Sequence, residues 1–185
     1  MFAAFVTAPG EWLPTTTAPA FEQVARVMKP NTFCVSFYGW SHVEHFMTAW
    51  KAAGLVPVGH NVWEKGYESR RGFLGARHEQ AYLLAKGRPP KPDAPLPDVL
   101  CWKYSSNPQH PTQKAVEILT LLIKAFSMPG AVVFNPFMGH GSTGVAAARV
   151  KRRIIGIELE RQHYDTATQR VCNAYPGNRH ANRAA

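Results

Sequence analysis

A chain of 185 residues is about one domain long and can bury a core of its own. With 45% hydrophobic and only 18% charged residues it has globular composition, and no apolar stretch reaches the length of a membrane span. A net charge of +9 suits a polyanionic partner, usually nucleic acid. The lysines and arginines are spread along the chain, however, so charge alone leaves a DNA-binding protein and a merely basic one equally good.

The first residues, 1–10, lack the basic start of a signal peptide. Cys34, Cys101 and Cys172 show no paired spacing, which argues against a disulfide framework and a zinc site and fits a reducing cytoplasm. No metal and no membrane are expected.

Residues 3–7 form a short apolar run, read as a buried strand. Residues 18–29 place Phe21, Val24 and Met28 on one helical face, and Pro30-Asn31 stops that helix. The β-branched and aromatic run 32–38 is a strand. Ser41 followed by Glu44 reads as a capping box. The helix it opens carries Val43, Phe46, Met47 and Trp50 on one face, a core face rather than a cofactor box, and ends at Gly54. A strand over 55–63 is bent or held near an edge by Pro57. Residues 67–79 read as loop and 80–86 as strand.

Arg70, Arg71 and Arg77 surround Phe73 in that loop, an aromatic set among arginines and glycines as in a DNA-contacting loop. Lys151, Arg152 and Arg153 read instead as an ordinary solvated helix end. Residues 87–109 hold six of the fifteen prolines, so they form neither a helix nor a central strand. A plain linker and a substrate-facing loop both fit; Trp102, Lys103 and Tyr104 favour the second, since aromatics beside a cation suit bases and phosphates.

Thr112 can cap the next helix, whose buried face is Val116, Leu119, Leu122, Ile123 and Phe126, and Pro129-Gly130 ends it. A strand over 131–136, a helix over 142–150, a strand over 152–159 and a helix over 160–174 follow, then a flexible tail at 176–185. The alternation predicts an α/β fold, a doubly wound and mostly parallel sheet covered on both faces.

Gly139, Gly141 and Gly144 lie where the strand at 131–136 passes into a helix. Glycines there let backbone approach a ligand and present N–H groups at a helix start. Glu158 follows nineteen residues after Gly139, at the end of the next strand, where a carboxylate can accept hydrogen bonds from ribose hydroxyls. The pair suggests an adenosine-containing ligand; a tight turn with a surface glutamate is the bland alternative. A phosphate loop for ATP is rejected, because no lysine follows the glycines. Nicotinamide dinucleotide matches the spacing, although Asn135-Pro136-Phe137 intervenes. S-adenosylmethionine is the third candidate.

The stretches "HPTQKA" (110–115), "NPFMGHGST" (135–143) and "IGIE" (155–158) are similar to the "HPTQKP", "DPFxGSGTT" and "IGIE" motifs of the DNA amino-methyltransferases. The resemblance covers about residues 20–173 and is to the permuted group, in which the catalytic motif precedes the cofactor motif. It implies a Rossmann-like fold and a site-specific methyltransferase acting on adenine N6 or cytosine N4 of double-stranded DNA with S-adenosylmethionine. It divides one domain, 1–175, into a catalytic half (1–86), the proline-rich loop (87–109) and a cofactor-binding half (110–175). Many relatives dimerise.

By matching position, the resemblance implies that Phe137 packs near the cofactor and that Gly139 and Gly141 shape the loop. Ser142 and Thr143 would donate hydrogen bonds, Glu158 would take the ribose, and Thr112 and Lys114 would border the methionine carboxylate. His110 would fix its turn. Lys114 alone reads as a surface lysine. Asn135 stands where the family has aspartate, and His140 where it has serine.

The family holds its target amino group with a [D/N/S]-P-P-[Y/F/W] motif: two oxygen acceptors and a stacking ring. The corresponding stretch here is Ala8-Pro9-Gly10-Glu11, without the acceptor, the second proline or the ring; Trp12 offers one a residue late. The sequence therefore leads to a weakened methyltransferase, with a non-catalytic DNA-binding or partner-binding protein on the same scaffold as the alternative.

Overall fold

The computed structural model describes residues 2–7, 14–69, 73–102 and 116–175. In chain order these form β1 (Phe2–Thr7), α1 (Pro14–Val27), β2 (Thr32–Phe37), α2 (Val43–Ala52), β3 (Leu55–Ser69) and β4 (Ala76–Lys86). Then come β5 (Val99–Trp102), α3 (Val116–Phe126), β6 (Val132–Asn135), α4 (Ser142–Arg149), β7 (Arg153–Gly156) and α5 (Arg161–Ala174).

One seven-stranded sheet takes strands from both ends of the chain, in the order β5-β3-β4-β2-β1-β6-β7. All pairs are parallel except those made by β4, which runs against both β3 and β2. The carboxyl ends of β2, β1, β6 and β7 therefore share one edge, the edge where ligands gather in open α/β sheets.

Alternating side chains build two cores. Val35 and Phe37 of β2, with Trp63 and Val133, pack on Leu119, Leu122, Ile123 and Phe126 of α3 and on Ala146 and Ala147 of α4. Cys34 and Leu84, on the other face, pack on Phe21, Val24 and Met28 of α1 and on Phe46 and Trp50 of α2. The helical faces read from the sequence are thus the buried ones, except that Val43, Met47 and Val116 are only half-buried. No helix among the described residues is long and apolar enough to cross a membrane.

Several expectations are corrected. The capping box does not form: Ser41 lies in a 3₁₀ turn over Trp40–His42, its hydroxyl 2.8 Å from His42 Nδ1, and α2 starts after it with no side-chain cap. The turn consumes the residues that would have capped the helix. The loop expected at 67–79 is largely hairpin, because β3 runs to Ser69 and β4 starts at Ala76. Tyr67, Glu68 and His78 are exposed, so no hydrophobic alternation announces these strands; cross-strand backbone pairing carries them.

Pro57 sits at a register shift between Pro57 and Gly59, in the part of β3 that β5 does not cover. Within the proline-rich segment, 99–102 forms the edge strand β5, beyond the last closely spaced proline. The strand expected over 152–159 is strand only over Arg153–Gly156.

Arg152 is not a solvated helix-end cation. It is 7% exposed, and its guanidinium donates to the Ser127 carbonyl at 2.6 Å, to Ser127 Oγ at 3.2 Å and to the Val150 carbonyl at 2.6 Å. It ties the end of α3 to the turn before β7.

The three cysteines are free thiols. Burial pushes the Cys34 thiol up to about 12, so it carries essentially no thiolate at neutral pH, whereas Cys101 and Cys172 are exposed. A thiol reagent applied to the native protein at pH 8 should therefore label two cysteines promptly and the third only after urea unfolding. Three equally fast reactions would contradict the burial of β2.

Candidate functional site

β6 ends at Asn135, and α4 begins at Ser142 after six intervening residues. The loop and the first turn of α4 need glycines for three different reasons. Gly141, the residue before α4, has φ +82, and a Cβ there would lie 2.9 Å from the Ala167 Cα of α5, so neither conformation nor space admits a side chain. A Cβ on Gly144 would meet Val171 Cγ2 at 2.4 Å; its bare backbone lets α4 and α5 close on each other. Gly139 has φ +51, and a Cβ on it would meet nothing within 4 Å. That glycine borders open space.

The loop is cross-linked to its surroundings. Asn135 is 2% exposed; its Nδ2 donates to Thr143 Oγ1 at 2.9 Å, and its Oδ1 accepts the Phe137 N–H at 3.0 Å. One side chain thus joins the strand end, the loop and the first turn of α4. The β6–β7 ladder continues past its last register pair, with the Ile157 N–H donating to the Asn135 carbonyl at 3.0 Å and the Met138 N–H to the Ile157 carbonyl at 2.9 Å. Met138 lies over Gly156, where any Cβ would collide with its sulfur.

This register delivers Glu158 to the loop. Its Oε2 accepts the Gly139 N–H at 2.6 Å, and its Oε1 accepts the N–H groups of Leu159 and Glu160, each at 3.0 Å. One carboxylate therefore bridges the glycine loop and the approach to α5, in charge-assisted bonds of the stronger kind. Phe137 packs, half-buried, on the core under α1 and α2.

The His140 ring lies 4.3 Å, centroid to centroid, from His163 of α5, and Arg170 donates to the His140 carbonyl. The bulky substituent expected on the loop is thus docked on a helix. Nothing near residue 140 announces this, because His163 and Arg170 come from a later helix.

The structure brings together Asn135, Phe137, Gly139, Gly141, Ser142, Thr143 and Glu158. Ser142 and Thr143 are buried, and the Thr143 oxygen is engaged by Asn135. Ala8, Pro9, Gly10, Glu11, Arg70, Arg71, His110, Thr112 and Lys114 lie outside the described residues, as does the tail from 176. Thr7, after which residues 8–11 follow, ends β1 on the same edge, next to β6. Arg77 sits on the β3–β4 hairpin, its guanidinium 3.1 Å from Glu64 across the strands. Among the described residues no group of three or more potential metal ligands occurs.

The model of the N6/N4 DNA methylase family matches residues 10–169, which is most of the chain and includes the loop and Glu158. The chain belongs to that family. The match includes Gly10 and Glu11 and leaves Ala8 and Pro9 just ahead of it. Among methylase relatives, a putative methylase, YubD, of Escherichia coli K12 is 52% identical over 161 residues, covering 87% of this chain and 69% of YubD. The type II methyltransferase M2.DpnII of Streptococcus pneumoniae is 41% identical over 63 residues, covering 34% of this chain and 24% of its own length.

Solved structures agree on the fold. The M1.HpyAVI–SAM complex superposes with a TM-score of 0.77 at 22% identity, over 91% of this chain and 87% of that one. The cytosine-N4-specific PvuII DNA methyltransferase gives 0.76 at 15% identity, over 91% and 78%. The doubly wound sheet of this chain is thus the Rossmann-like sheet of the DNA methyltransferases.

Replacing Asn135 by alanine strands the buried Thr143 hydroxyl and the Phe137 N–H, at a cost of about 1–3 kcal/mol. Asn135→Asp keeps both bonds by turning the Thr143 hydroxyl into the donor but buries a negative charge, so it should still destabilise, though by less than alanine does. Urea denaturation of the two variants measures the difference.

Proposed function

We propose that this chain binds S-adenosylmethionine at the glycine loop and acts, weakly, as a DNA methyltransferase directed at adenine N6 or cytosine N4. The observation that carries the reading is the pairing of Gly139 with Glu158. A side-chain-free residue faces open space, and a carboxylate from just past the neighbouring strand stands beside it.

The donor set fits the cofactor. Glu158 has two carboxylate oxygens suited to ribose hydroxyls, and they would exchange backbone N–H groups for the ligand. Phe137 offers apolar surface, and Gly139 admits close approach. Thr112 and Lys114, which precede α3, would border the amino-acid end, as the resemblance implies. We read 1–175 as one domain of the permuted arrangement, supported by the single sheet that joins both halves.

When bound, S-adenosylmethionine supplies an electrophilic methyl group for transfer to the target nitrogen, leaving S-adenosylhomocysteine. The chain's own task is to present that nitrogen. An exocyclic amino group is a poor nucleophile while its lone pair is delocalised into the ring, so the base must leave the duplex and its NH₂ must meet oxygen acceptors. Ala8 offers none, and Glu11 puts a charge where a ring would stack. Each missing acceptor costs about 2–4 kcal/mol of barrier lowering, judged from comparable donor deletions.

The DNA would approach the carboxyl edge. The last β2–β4 pair is Phe37 with Ala81, so residues 76–80 of β4 and their β3 partners overhang that edge as an arm. Phe73 and Leu74 beyond it are largely exposed. Arg77 lies on the arm, Arg70 and Arg71 fall between its strands in sequence, and the three are proposed DNA contacts.

Calorimetry should show S-adenosylmethionine and S-adenosylhomocysteine binding to the native chain, with at least a tenfold loss in Glu158→Ala. No heat with either compound would leave the scaffold a DNA-binding or partner-binding protein. Transfer of labelled methyl groups to unmethylated DNA should be slow in the native chain. It should rise about a hundredfold or more when Ala8→Asp, Gly10→Pro and Glu11→Tyr are combined, if each recovered acceptor is worth the figure above. No gain would count against the placement of the motif at 8–11. Sedimentation of the same protein decides whether two copies associate.

A further inference from the structure

Large aromatic side chains are normally drawn into the core, and Trp50 and Trp63 are 0% and 1% exposed. Trp40 is 78% exposed. It stands three residues beyond Phe37, which pairs with Thr7 at the carboxyl ends of β2 and β1. Only β1 separates β2 from β6, so two strand spacings, about 10 Å, divide its strand end from that of the glycine loop.

The mount is fixed. Trp40 opens the 3₁₀ turn, closed by the His42 N–H donating to the Gly39 carbonyl at 3.0 Å. Two residues back, the Tyr38 hydroxyl is 3.1 Å from His60 Nε2, and its ring lies 5.3 Å from Tyr82, 5.9 Å from Trp50 and 6.1 Å from Phe46. The exposed indole thus follows, by two residues, a tyrosine packed in an aromatic cluster. Ser41 and Glu44 near it are exposed and polar, and Gly39, His42 and His45 are half-exposed, unlike the apolar centre of a protein–protein interface. An exposed ring on a hydrogen-bonded turn, among polar neighbours, suits a flat π-face from solution.

We propose that Trp40 is a stacking platform for an unpaired nucleobase of the DNA substrate. The inference rests on the methyltransferase reading above and adds a base-binding residue to it. The family membership and the net charge of +9 make a nucleic-acid strand the occupant.

The test uses the full chain, a fluorescein-labelled single-stranded oligodeoxyadenylate, and an abasic oligomer of equal length and charge, read by anisotropy. Trp40→Ala should bind the oligodeoxyadenylate about fivefold or more weakly, as loss of one base–aromatic stack implies, and Trp40→Phe should stay near the native value. All three proteins should bind the abasic oligomer alike. Iodide quenching present in the native chain and absent from Trp40→Phe should disappear when the oligodeoxyadenylate is saturating. The proposal is overturned if Trp40→Ala binds like the native chain, if Trp40→Phe loses as much as Trp40→Ala, or if the native chain does not bind the base-bearing oligomer. Calorimetry with S-adenosylmethionine on the same variants should be unchanged. A native chain that takes no S-adenosylmethionine defeats the methyltransferase reading, whereas intact cofactor binding with an indifferent Trp40→Ala defeats only the platform.

Discussion

A single carboxylate organises the carboxyl edge of the sheet. Glu158 accepts three backbone N–H groups, one from the glycine loop and two from the approach to α5. It reaches them because the β6–β7 ladder extends past the strands, through Ile157 and Met138, into the loop itself. Backbone donors at the foot of a helix must find partners, and a negative charge is the partner the local dipoles favour. The same charge, beside a glycine with open space over it, is the group we propose for the ribose.

Asn135 does for the inside of the loop what Glu158 does for the outside. A carboxylate at this position could only accept, and its negative charge would sit at 2% exposure. The amide donates to Thr143 and accepts from Phe137, so it holds the same geometry without burying a charge. His140 is likewise accommodated, its ring on His163 and its carbonyl on Arg170. Both departures from the family pattern are absorbed locally, which separates them from the Ala8–Glu11 stretch, where the missing groups are the ones proposed to touch the substrate.

The two cores make this edge stiff. The sheet is wedged between α3 and α4 on one side and α1 and α2 on the other, and Trp50 and Trp63 are wholly buried. Burial of that kind stabilises each large side chain by roughly 1.5–3 kcal/mol. It also fixes the strand ends, and so the distance between the loop after β6 and the turn after β2. A stacking ring and a ligand cradle cooperate only if that distance is constant.

Local pattern alone determined the alternation of strands and helices, the apolar faces of α1 and α3, and the presence of a glycine junction with an acid nineteen residues on. Each depends on residue spacing along one element, which the chain displays openly. The outer part of the β3–β4 hairpin was hidden, because its residues are polar and its strands are held by backbone bonds that carry no side-chain signature. The reversal of β4, the burial of Arg152 on the end of α3 and the docking of His140 on α5 were equally hidden. Each joins segments distant in sequence, and only packing decides which distant groups meet. The glycines were visible as letters, but the reason for each, a neighbouring helix at Gly141 and Gly144 and open space at Gly139, belongs to the folded chain, since a missing Cβ has meaning only once something stands, or does not stand, where it would be.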